Sequence, residues 1–173
     1  MAKVITFSRT FPAYHPKAGK ETNFVEKFWE SYQLSETVID KALTPLIPYI
    51  QEYKSSNDWT YRRYGAKNHT IRVGNRWKEG EYFSPRVWSG KPYRSKMIKI
   101  APDTQIKKIW NIEMDIEGTF YINGKYVDVT SSIHDGKTVA DNDGLDSDDL
   151  LNWFPVGKPF KGQIICWNEN INY

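Results

Sequence analysis

The residues best suited to chemistry cluster between Gly65 and Gly80, in the run Lys67-Asn68-His69-Thr70-Ile71-Arg72 and the Arg76-Trp77 pair after it. Lys67, His69 and Arg72 supply donors, and Thr70 supplies a hydroxyl. If Ile71 anchors a strand in the core, Thr70 and Arg72 share the opposite face. A hydroxyl beside a guanidinium suits an anionic or carbonyl group. Arg72 and Arg76 contact a partner, or pair with the acidic second half of the chain. His69 faces solvent or a cleft. Trp77 fills the core, closes a cleft or stacks on a base.

A second run, from Tyr82 to Lys96, adds Arg86, Lys91, Arg94 and Lys96 as a phosphate path, with Trp88 or Tyr93 as a stacking platform. A solvated basic loop is the competing reading. Ser89-Gly90 lacks the nucleophile-elbow pattern. Asp141, Asp143, Asp146, Asp148 and Asp149 lack the order of a calcium loop and read as acids at a helix start. Cys166, between Ile and Trp, reads as a small buried hydrophobe. No metal site and no cofactor is expected from three scattered histidines and one cysteine.

The charge distribution sharpens the contrast. Residues 61–99 carry eleven basic and two acidic side chains, whereas residues 100–150 carry four basic and eleven acidic ones. Either the two regions neutralise each other within one fold, or the basic one faces a phosphate-bearing partner. The whole chain has 173 residues, a net charge of +3 and 15% aromatic residues. That content supports an ordered core and excludes a disordered or collagenous chain. No apolar run reaches the length of a membrane span. The start of the sequence lacks a secretory pattern, so a cytoplasmic location is the expectation.

These residues need elements to position them. Lys3–Phe7 reads as a strand, and Pro12, Pro16 and Gly19 mark a loop. Thr22 can cap a helix through Phe24, Phe28 and Trp29. Ser35–Leu43 reads as a second helical stretch before Pro45 and Pro48. From residue 59 short ring-rich strands follow, at 59–64, 81–88, 95–100, 106–117 and 119–129. Asn123-Gly124 marks a tight hairpin. A helix capped by Asp146 or Ser147 buries Leu150, Leu151 and Phe154, and residues 162–167 read as a final core strand.

Lys67-Asn-His-Thr70-Ile71-Arg72, followed by Trp77-Lys78-Glu79-Gly80-Glu81, resembles the Lys-x-x-Thr-Ile-Arg signature and following turn of the ASCH family, within the PUA-like superfamily. Ala140-Asp-Asn-Asp143-Gly144-Leu145 resembles that family's Ala-x-x-Glu-Gly-Phe block. The likeness spans about residues 59–171. It implies an α+β chain with a small, curved β-barrel at 59–173, on which an N-terminal strand and helical extension (1–58) packs. The extension resembles that of a larger set of bacterial and phage proteins.

The resemblance implies a cleft that meets RNA or a modified nucleoside. Some small members are amidohydrolases that deacetylate N4-acetylcytidine with a Lys, a Thr and a Glu. By that likeness Lys67, Thr70 and Asp143 would form a metal-independent centre, with an aspartate in the glutamate's place. Lys67 would act as base on Thr70, and Asp143 would shuttle a proton. Three readings stay open. The first is RNA or modified-nucleotide binding by a monomer or weak dimer. The second is amide hydrolysis on an N4-acylated cytidine-type nucleoside. The third is a phage or mobile-element module that binds a protein partner.

Overall fold

The computed structural model describes residues 2–31, 46–53, 64–133 and 136–173. The expected helical stretch at Ser35–Leu43 and most of the strand expected at 59–64 lie outside the described residues. Strand β1 (Lys3–Thr6) leads through a loop to helix α1 (Phe24–Glu30), and helix α2 (Ile47–Tyr53) follows. Strands β2 (His69–Val73), β3 (Tyr82–Trp88), β4 (Met97–Lys99), β5 (Thr104–Gln105), β6 (Lys108–Met114), β7 (Phe120–Ile122) and β8 (Lys125–Val127) come next. Helices α3 (Val139–Asp143) and α4 (Ser147–Trp153) precede the last strand, β9 (Phe160–Cys166).

The α+β class stands, but the expected closed barrel does not. The strands form two open sheets. In one, β3 pairs in parallel with β1 and antiparallel with β4 and β5. The other runs β2-β9-β6-β7-β8, with Cys166 of β9 opposite both His69 and Lys108. A barrel needs an unbroken ring of strand pairing. Here β2 and β8 end the second sheet at opposite edges, and β8 is only three residues long. The chain turns between the sheets at Ile106-Lys107. Ile106 N–H donates to Glu81 O, and Lys107 N–H donates to Cys166 O. Phe28 of α1 packs within 5.3 Å of Phe7, 4.8 Å of Trp167 and 6.3 Å of Phe83 (centroid distances), so a helix fills the space between the sheets. Full burial of such a ring is worth about 1.5–3 kcal/mol.

Local signals explain the ends of the elements. Asn123, in the left-handed region at φ 49°, and Gly124 make the β7–β8 turn. Asp146 caps α4 by accepting from Asp149 N–H at 2.7 Å. At α1 the cap position is Asn23 rather than Thr22. The Thr22 hydroxyl instead donates to Ser8 O at 2.7 Å, tying the β1 loop to the helix.

Candidate functional site

The segment just before β2 is held on both flanks. Lys67 N–H donates to Lys27 O of α1 at 2.9 Å, and Asn68 N–H donates to Asn142 O of α3 at 2.7 Å. Helix α3 opens on a reciprocal Thr138–Asp141 capping box and closes on Gly144 at φ 76°. A Cβ at Gly144 would lie 3.1 Å from Lys67 Cβ and 3.2 Å from Lys27 Cδ. Glycine therefore permits both the left-handed turn and the close approach of two lysines.

This clamp brings together two residues 76 apart in sequence. The Lys67 ammonium donates to Asp143 Oδ1 at 2.8 Å and to the Asp143 backbone carbonyl. Its side chain is only 1% exposed, and its Nζ lies 4.2 Å from the centroid of the Phe24 ring. Burial, with the charges of Arg72 and Lys27 adding to it, lowers Lys67 to about 8 against the opposing pull of Asp143. Burial also raises Asp143, opposed by Lys67, Arg72 and Lys27. Three cations thus surround one carboxylate. Lys27 additionally donates to Gly144 O at 2.6 Å, and Arg72 Nη2 donates to Thr6 O at 2.7 Å while its Nε is buried without a partner. Thr70 is buried in the same strand, two residues from Arg72, with its backbone opposite Ile165.

A cleft of about 330 Å³ adjoins this cluster across Phe24. Phe7, Phe24, Tyr53 and Trp88 contribute its rings, and Arg9, Glu21 and Glu26 contribute its charges. Gly90 and Pro92, on the hairpin between β3 and β4, line it as well. There Tyr93 is 89% exposed, in the left-handed region at φ 62°, and 5.4 Å from the Trp88 ring. An exposed aromatic held in that conformation on a loop is unusual for a residue with a Cβ. Lys91 and Arg94 are exposed beside it, Lys96 pairs with Glu52 at 3.3 Å, and Arg86 Nε donates to Ser84 Oγ at 3.2 Å.

The remaining residues singled out in the sequence lie apart from the cleft. His69 is wholly buried, donating from Nε2 to Val139 O at 3.2 Å, with its ring against Tyr173. Its pKa is lowered by burial and by Lys67. Trp77 is a core residue at 2% exposure, and exposed Arg76 places its guanidinium 5.4 Å from that ring. Cys166 is buried, its thiol pushed up to about 12 by desolvation. Among the described residues no group of His, Cys, Asp and Glu could hold a metal ion, and no helix is long and apolar enough to cross a membrane. Nothing in the sequence marks Lys27, Arg9 or Tyr53. Phe24 is legible there, through its helical spacing with Phe28, only as part of a core face.

No family model, curated protein or solved structure matches this chain.

The lowered Lys67 carries a pH consequence. Because its folded pKa (about 8) lies below that of an unfolded lysine, the unfolded chain holds more protons between those values. Stability contributed by this site therefore rises as pH goes from 8 toward 10, by at most about 1.4 kcal/mol per pH unit. Urea unfolding of the parent and Lys67→Met across that range checks it. The parent curve should climb relative to the variant, and parallel curves would rule out the lowered pKa of Lys67.

Proposed function

We propose that this protein binds a nucleotide base, in RNA or as a modified nucleotide, with the ring in the cleft of Phe7, Phe24, Tyr53 and Trp88. The observation that carries this reading is the junction of an aromatic-lined cavity of about 330 Å³ with a basic, aromatic-tipped hairpin that lines it through Gly90 and Pro92. Rings stack bases irrespective of sequence, and flanking cations hold phosphates. Lys91, Arg94 and Lys96 suit the second task by their exposure. Titration calorimetry with a short single-stranded RNA, at about 50 and 200 mM salt, tests it. Trp88→Ala should weaken binding by about 1–3 kcal/mol. Replacing Lys91 and Lys96 by Gln should flatten the logarithmic salt slope by about 0.7 for each phosphate no longer neutralised. Salt-independent binding, or none, contradicts the proposal.

A second reading, amide hydrolysis on an acylated base, is favoured by the Lys67–Asp143 pair. Neutral Lys67 would take the Thr70 proton as Thr70 Oγ1 attacks the acyl carbon. Lys67 would pass that proton to Asp143, which would give it to the departing exocyclic amine as the C–N bond breaks, and water would release the acyl group from Thr70. Chromatography of N4-acetylcytidine incubated with the parent, Lys67→Met and Thr70→Ala decides it. Turnover by the parent alone supports the enzyme, and turnover that survives both replacements refutes this centre.

A further inference from the structure

A base stacked in the ring-walled cleft presents a polar edge, and the lining side chains decide what meets it. Net charge does not sort the bases here. Arg9, Lys67 and Arg72 lie against the rings of Tyr53, Phe24 and Phe7, and the carboxylates of Glu21 and Glu26 flank them. Hydrogen bonding has to do it, and most of the lining groups are already committed. Ser8 Oγ donates to Thr10 O, and the Thr22 hydroxyl donates to Ser8 O while accepting from Phe24 N–H at 3.3 Å. Arg9 Nη1 donates to Ser89 O at 3.1 Å, and Glu26 has a partner too. Thr10 and Glu21 are exposed. Among the described lining residues, two half-buried side chains keep free hydrogen-bonding atoms: the Trp88 indole N–H and the Asn23 carboxamide.

Asn23 directly precedes α1, where an asparagine ordinarily accepts a backbone N–H with its side-chain oxygen. Here it makes no such bond, and Thr22 Oγ1 takes the Phe24 N–H instead. Its backbone lies in the left-handed region at φ 55°, which glycine adopts more readily. Asn23 lines both this cleft and a second one of about 670 Å³, so it stands on the lip between them. A carboxamide offers an acceptor and a donor side by side, whereas an indole offers one donor. That pair matches adenine, whose N6 amino group donates beside an accepting N7. Guanine presents two acceptors, O6 and N7, at the same edge. Resting on the nucleotide reading above, we infer that Asn23 makes the cleft selective for adenine, with Oδ1 accepting from the N6 amino group and Nδ2 donating to N7. Phe24, the next residue, supplies a ring of the same wall, so stacking and edge recognition come from consecutive positions.

Calorimetric titration at pH 7 with adenosine, guanosine and 7-deazaadenosine monophosphates separates the edge from the rings. The adenosine probe should bind about ten-fold more tightly than either of the others. In Asn23→Gly the three affinities should converge on that of guanosine monophosphate for the parent. Glycine takes φ 55° without strain, so urea unfolding of this variant should give a midpoint no lower than the parent's. A lower midpoint together with lost selectivity makes Asn23 a structural residue and overturns its recognition role. Adenine preference that survives Asn23→Gly overturns that role as well, and parity of the 7-deaza probe with adenosine monophosphate overturns the N7 contact. Equal affinity for adenosine and guanosine monophosphates, or tighter binding of the latter, overturns the selectivity and leaves nucleotide binding standing. No saturable binding of any probe at millimolar concentration overturns both the selectivity and the reading beneath it.

Discussion

Asp143→Ala is expected to destabilise the protein by about 3–5 kcal/mol, the cost of leaving a buried ammonium without its counter-charge. The Asp143 carboxylate faces Lys67 at 2.8 Å, and Arg72 and Lys27 lie within its electrostatic reach. Its removal leaves cations clustered where water cannot follow, since Lys67 is buried beneath Phe24 and between α1 and α3. The pair need not stabilise the fold in absolute terms, because the desolvation of both charges offsets their attraction. A double replacement, Lys67→Met with Asp143→Leu, should therefore recover most of the loss. Chemical denaturation of the three proteins measures this. A loss below about 1 kcal/mol in the single variant would place the pair in a solvated setting instead.

Gly162→Ala is expected to cost more than about 4 kcal/mol or to prevent folding altogether. Strand β9 is the spine of the second sheet, with Gly162 opposite Val73 of β2 and Ile112 of β6. A Cβ at this position would lie 2.2 Å from the backbone oxygen of Arg72 and 2.6 Å from Phe160 Cζ. A ring can rotate away, but a strand backbone cannot move without breaking its ladder. Displacing β2 also moves Arg72 away from Thr6 and Asp143, so stability and the site fail together. Gly90→Ala provides the comparison, since its new Cβ meets Ser95 Cβ at an ordinary 3.6 Å. Equal denaturation midpoints for the two variants would contradict the packing described for β9.

The legible parts of this fold are those set by local chemistry. Asn123-Gly124 fixes a hairpin because both positions need left-handed backbone. Asp146 caps its helix for the same kind of local reason. Cys166 and its apolar neighbours mark the final strand, though it starts two residues earlier than the sequence indicates. Long-range closure was not legible. The parallel pairing of Lys3–Thr6 with Phe83–Arg86 joins segments about 80 residues apart, and nothing in either segment names the other. The same holds for α1, whose Phe28 was readable as a buried residue but not as the ring that fills the space between two open sheets.

The site divides along the same line. The family resemblance singles out Lys67, Thr70 and Asp143, the residue types around them single out Arg72, and the fold brings Lys67 and Asp143 together. His69 and Trp77 carry the same residue chemistry but are buried in the core, His69 against Val139 of α3 and Trp77 on the loop before β3, where its backbone bonds the Gln163 side chain. Lys27, Arg9 and Tyr53 belong to elements with no motif at all. They enter the site only because α1, the β1 loop and α2 converge on it.

Occupation of the ring-lined cleft by a base is open to direct observation in an amide and indole NMR titration of the full chain with a ribonucleotide. If the base sits there, the Trp88 indole and the amides of Arg9, Glu21, Phe24 and Gly90 should shift together and saturate with a single affinity. Shifts confined to the far edge at β8, or no saturable shift at millimolar nucleotide, would contradict the assignment of this cleft.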